Sequence, residues 1–129
     1  MRRAAALWLL LFAAYAATLG LHAFGSSEYG GDEPHYLLAA ESLVSDGDID
    51  VLDEYAARDY SSFYPDELDK HGVETEGRLH EPHGVGFPLL IAPAYALAGP
   101  VGVEVFMAMI AALAVALAYR LALRVAPDP

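Results

Sequence analysis

Residues 101–125, VGVEVFMAMIAALAVALAYRLALRV, decide the architecture. Between Glu104 and Arg120 the segment carries no charge. A helix of this length reaches roughly 37 Å, more than the hydrocarbon thickness of a bilayer at about 30 Å. Its Ala-rich middle, Met107 to Ala118, suits close approach of a second helix, because small side chains let backbones come together. Arg120 and Arg124 at its end mark a cytoplasmic face.

Working back from there, the apolar run Val85 to Ala98 contains Pro88 and Pro93 and stops at Gly99-Pro100. A helix of that length covers roughly 21 Å, too short to span upright. It reads as an interfacial or re-entrant helix; a tilted third span is the competing reading, and would put Arg120 and Arg124 outside. At the other end of the chain, Ala4 to Phe24 is free of charge and preceded by Arg2 and Arg3. It reads as a first span with a cytoplasmic N-terminus. A cleaved signal peptide fits less well, because the apolar stretch is long and Ala23-Phe24-Gly25 is a poor cleavage site.

The fold class expected is therefore an all-α membrane protein. Two transmembrane helices flank a long extracytoplasmic loop with amphipathic juxtamembrane helices. The boundaries are 1–24 for the basic end and first span and 25–84 for the loop. Residues 85–99 form the interfacial helix, 100–126 the second span and 127–129 the start of a cytoplasmic loop.

Composition agrees with this segregation. The 129 residues are 56% hydrophobic, yet the formal charge is −11. Residues 25–84 hold sixteen acidic residues against three basic ones, a local balance of −13. Such a surface excludes nucleic acid as a bulk electrostatic partner. The absence of Cys excludes disulfides, thiolate zinc sites and Cys nucleophiles. The absence of Asn excludes N-glycosylation. Carboxylates, His, Tyr, Ser and Arg remain to carry any chemistry.

Within the acidic segment, Pro34 to Ser45 reads as an amphipathic helix. Pro34 suits its first turn, Asp32 and Glu33 suit the positive end of its dipole, and Gly47 suits its stop. Leu37, Ala40 and Val44, with Tyr36 and Leu43, give an apolar side that could lie on a membrane surface. Tyr55, Tyr60, Phe63 and Tyr64 suit a membrane interface or stacking against a sugar. Lys70 to Arg78 reads as an exposed turn or hairpin without chemistry.

Three constellations deserve weighing. Asp46-Gly47-Asp48-Ile49-Asp50 begins like a calcium loop but has Val51 where Gly is required and Ala57 where Glu is required. A helix stop followed by an extended connection is the better account. His80-Glu81-Pro82-His83 offers metal-ligand types, but Pro82 prevents a regular helical arrangement and no thiolate is present, so these residues alone are not expected to hold a metal. Asp32 and Glu33 serve either as a helix cap or as an ionised, accessible carboxylate that takes a proton from an acceptor hydroxyl. Local sequence leaves both readings open.

The order of these parts carries a resemblance. Basic start, span, Gly31-Asp32-Glu33-Pro34-His35-Tyr36, then His80-Glu81-Pro82-His83 and a Pro-containing apolar helix resemble the GT-C class of integral membrane glycosyltransferases. The branch is that of protein mannosyltransferases and aminoarabinose transferases, glycosyltransferase family 39. The resemblance implies transfer of a sugar from a polyprenyl-phosphate donor to an acceptor on the extracytoplasmic face of the bilayer. It implies catalytic residues Asp32 and Glu33, substrate-binding residues His35, Tyr36, His80 and His83, and a divalent metal ion as cofactor in some members, with Asp32 its ligand. Enzymes of this class have many spans, so the chain is expected to be an N-terminal part and inactive alone. The alternative is a non-enzymatic two-span membrane protein whose acidic loop binds a partner or cations. A secreted acidic domain released after Ala23 is a weaker third.

Overall fold

The structure, a computed structural model, describes residues 2–22 and 27–126. It is mostly helical. The elements in order are α1 (Arg2–Ala16), α2 (Glu33–Ser45), α3 (Leu52–Ala57), a 3-10 turn (Asp59–Ser62), β1 (Val73–Thr75), β2 (Arg78–His80) and α4 (Gly86–Val125). Two compact units divide the chain, one made of residues 1–19 with 104–129 and the other of residues 20–103.

In the first unit α1 runs beside the second part of α4. Ala108, Ala112 and Ala116, spaced by four, form its buried stripe. The Trp8 indole N–H donates to the Met109 carbonyl at 3.2 Å, and Trp8 stacks on Phe12. Arg2, Arg3, Arg120 and Arg124 line one groove, so the basic residues of the two helices share an end. The helix α1 is shorter than the span expected over Ala4 to Phe24. At 15 residues it reaches roughly 22 Å. The Thr18 hydroxyl donates to the Tyr15 carbonyl at 2.7 Å, and Gly20 takes a positive φ of 75°. Both features end the helical path, and residues 23–26 lie outside the described residues.

Among the described residues, α4 is the one helix long and apolar enough to cross a membrane. It is broken where the sequence placed Gly99-Pro100. Ala98 and Gly99 leave helical geometry, Gly99 at φ 58°, ψ −148°, a region that is essentially glycine's alone. Pro100 then has no N–H to continue the ladder. Residues 86–97 and 100–125 are therefore two helical stretches in one continuous element.

The second unit differs most from expectation. Residues 27–84 are folded around a core instead of forming an extended loop. The helix α2 is central to it and not amphipathic: Pro34, His35, Leu37, Leu38, Ala39, Ala40 and Ser42 are all buried. Tyr55, Tyr60 and Phe63 are likewise buried, so these aromatics serve the core and not a membrane interface. Tyr29 meets Phe63 edge-on at 6.2 Å. The unit also adds a two-stranded antiparallel hairpin, with Val73 opposite His80 and Thr75 opposite Arg78, turned by Glu76 and Gly77 at positive φ. Helices do not account for everything the all-α expectation covered.

The connection between α2 and α3 is stitched to this hairpin. Asp50 Oδ1 accepts from the Leu79 N–H at 2.8 Å and the Leu52 N–H at 3.2 Å. The Val51 N–H donates to the Leu79 carbonyl at 2.8 Å. The Leu79 N–H holds the Asp50 carboxyl below its ordinary range. Leu79 and Val51 are buried beneath these bonds.

Candidate functional site

The two acids before Pro34 have different surroundings. Glu33 Oε2 accepts the Gly30 N–H at 3.0 Å, reaching back three residues to tie down the chain entering α2. Asp32 occupies the N-cap position but makes no side-chain cap bond. Its carboxylate, 57% exposed, lies 3.6 Å from His83 Nε2. Glu33 is thus engaged with the chain ahead of α2, and the Asp32 side chain makes no cap bond.

One turn further, His35 is 2% exposed. Its Nδ1 lies 2.8 Å from the Tyr55 hydroxyl and 3.2 Å from Glu81 Oε1. The Tyr55 O–H donates to the same Glu81 oxygen at 2.7 Å. His71 stacks on His35 with ring centres 3.8 Å apart. Burial acts to raise the Glu81 carboxyl, but its bonds with His35 and Tyr55 prevail and hold it below the ordinary value. Burial, reinforced by Glu81, holds the Tyr55 phenol well above its usual range, so it remains a donor.

Asp32, His71 and His83 form one set whose ligand atoms lie within 4.8 Å of one another, and His35, His71 and Glu81 form a second. His71 belongs to both. Glu81 Oε2 and His83 Nε2 are buried with no hydrogen-bond partner, which leaves two donors unused at the centre of the cluster. Imidazole and carboxylate without thiolate suit a borderline divalent ion such as zinc. The residues present could therefore hold a metal, with Asp32 in one set and His71 in both.

His35, Tyr36, His80 and His83, the four residues expected to bind substrate, line one cleft together with Glu81. It is small, about 30 Å³, the room of a water or two. Tyr36 packs edge-on against Phe87 at 5.0 Å and beside His83 at 5.0 Å, tying the helix start to the beginning of α4. His80 is exposed on β2 and is not part of either metal-compatible set.

Sequence reasoning missed His71 and Tyr55. A signal for His71 was available. A hairpin was expected across this stretch, and the register that pairs Val73 with His80, carried two residues further, sets His71 opposite Pro82, between Glu81 and His83. Tyr55 gave no such signal, because a buried hydroxyl aimed at a distant Glu depends on how α3 packs.

No protein-family profile, curated protein or solved structure matches this chain.

Proposed function

We propose that this chain supplies the extracytoplasmic acceptor side of a membrane glycosyltransferase that uses a polyprenyl-phosphate-linked sugar. The observation that carries the proposal is the division of labour between Glu33 and Asp32. Glu33 is tied to the Gly30 N–H ahead of α2, and Asp32 stands exposed at the helix entrance beside His83 and the cleft of His35, Tyr36 and His80.

In this reading an acceptor hydroxyl lies against Asp32, which takes its proton as the oxygen attacks the anomeric carbon. The bond from that carbon to the phosphate oxygen breaks, and polyprenyl phosphate departs with the electron pair. His83 stands 3.6 Å from the Asp32 carboxylate, at ion-pair distance. A divalent ion held by His71 with Asp32 and His83, or with His35 and Glu81, would supply positive charge for the departing phosphate. The shared end of Arg2, Arg3, Arg120 and Arg124 supports a topology with that end in the cytoplasm and α2 outside.

The test is consumption of polyprenyl-phosphate hexoses and pentoses by membranes carrying the chain as it occurs in the cell. Asp32→Asn is expected to abolish transfer while membrane insertion is unchanged. Transfer that survives this substitution with little loss removes Asp32 as the base.

A further inference from the structure

Three acidic residues, Asp46, Asp48 and Asp50, lie between α2 and α3, and two more, Asp53 and Glu54, stand in the first turn of α3; their oxygens are not equivalent. Asp50 spends one oxygen on the Leu79 and Leu52 amides. Asp48 Oδ1 accepts from the Asp50 N–H at 2.9 Å and from the Ser42 hydroxyl at 3.3 Å. These two close the connection. The remaining three, Asp46, Asp53 and Glu54, bring one carboxylate oxygen each within 4.8 Å of one another.

Glu54 makes this more than an acidic patch. It is 2% exposed, and neither of its oxygens has a hydrogen-bond partner. A buried, unpaired carboxylate is costly unless it is neutralised. The side chains acting electrostatically on Asp46 are Asp53, Asp48 and Asp59, all acidic, and none supplies the missing counter-charge.

We propose that Asp46, Asp53 and Glu54 form a structural site for a hard divalent cation, calcium in preference to zinc, separate from the His71 cluster. Oxygen-only donors select a hard ion, and oxygens spaced by up to about 4.8 Å fit two ligands at calcium's 2.3–2.6 Å. This is not the loop the sequence suggested at Asp46, Asp48 and Asp50. Two of those acids are engaged with backbone, and the ligands come from farther along. An ion here joins the end of α2 to the start of α3 and fixes the connection whose Asp50 and Val51 hold Leu79. Leu79 directly precedes the strand end that carries His80 and Glu81, so the ion stiffens one wall of the cleft.

The test is calorimetric titration of the full chain, stripped with EDTA in detergent micelles at pH 8, with calcium chloride alone. One saturable site tighter than about 1 mM is expected, with a rise in Tm on binding. Glu54→Gln and Asp53→Asn are each expected to weaken binding about tenfold or more, since affinity follows ligand charge. The exposed Glu74→Gln and the cluster variant His71→Ala are expected to bind calcium as the parent does. Glu54→Gln removes a buried charge, so its metal-free Tm should equal or exceed the parent's; should it fail to fold, Asp53→Asn and the exposed Asp46→Asn decide. The proposal is overturned by absence of saturable binding up to about 10 mM. It is equally overturned by parental affinity in the Asp53 and Glu54 variants, or by loss of calcium binding in His71→Ala.

Discussion

Asp32 Oδ1 and His83 Nε2 stand 3.6 Å apart, joining the entrance of α2 to the segment that follows the hairpin. The distance is that of an ion pair and too long for a good hydrogen bond. An acceptor group or a cation entering here therefore breaks no existing bond. The neighbouring Glu33 is already committed to Gly30.

That contrast separates two substitutions at adjacent positions. Glu33→Ala removes the bond to the Gly30 N–H and should lower stability by about 1 kcal/mol, a typical net hydrogen-bond contribution, while transfer persists in whatever protein remains folded. Asp32→Ala makes no cap bond to lose, so its thermal midpoint should stay close to the parent's while transfer disappears. Thermal melts and transfer assays on both variants check this. Reversed outcomes would make Asp32 the structural acid and Glu33 the chemical one.

Much of this could be read along the chain, where local pattern suffices. The helix beginning at Glu33-Pro34, the stop at Gly47 and the break at Gly99-Pro100 each follow from one or two residues with restricted backbones. What could not be read depends on burial. Tyr55, Tyr60 and Phe63 look like interface aromatics until α3 and the 3-10 turn carry them under α2. The high polar content of residues 25–84 hid a folded unit, because its core is drawn from few apolar residues, among them Leu38, Val51, Leu79 and Ile91. In the candidate site, motif order named Asp32, His35 and His83, and the fold sets His83 near both of the others. Tyr55 and the role of His71 required the fold.

The Tyr55 to Glu81 bond gives a pH-dependent prediction. The Glu81 carboxyl is held below its ordinary value in the folded state. Its stabilising contribution is therefore complete above the unfolded carboxylate range, near pH 4.5, and is lost as pH falls through the depressed folded value. Tyr55→Phe deletes the 2.7 Å donor but leaves His35 beside the same oxygen. It should cost roughly 1–2 kcal/mol at neutral pH and move the acid-unfolding midpoint upward. An acid titration followed by circular dichroism measures both. An unchanged acid midpoint would mean that Tyr55 does not hold the Glu81 charge.

The chain's lack of Cys allows topology to be read with single introduced thiols. Ser61 is exposed within the 3-10 turn and Ala126 is exposed just beyond α4. In intact cells Ser61→Cys should react with a membrane-impermeant maleimide, and Ala126→Cys should react only after permeabilisation. Labelling of both thiols from outside would place the basic helix ends on the external face and remove the proposed orientation of Asp32.

Gly72 tests the link between the hairpin and the histidine cluster. It directly follows His71 and precedes β1, and its backbone passes close to β2. A Cβ at this position would overlap the His80 carbonyl oxygen and lie 2.9 Å from Leu79 Cδ1. The carbonyl is backbone and the leucine is buried, so neither yields easily. Gly72→Ala must push β1 away from β2, at a cost of roughly 1–3 kcal/mol. The displacement carries His71 with it and disturbs the 3.8 Å stack on His35. Zinc titration of the purified chain should show weaker binding in Gly72→Ala. The calcium response at Asp46, Asp53 and Glu54 should change far less, since those residues lie at the end of α2 and the start of α3. Zinc affinity equal to the parent's, in a variant whose Tm has fallen, would show that His71 is not a ligand and that the cluster draws on Asp32, His35, Glu81 and His83 alone.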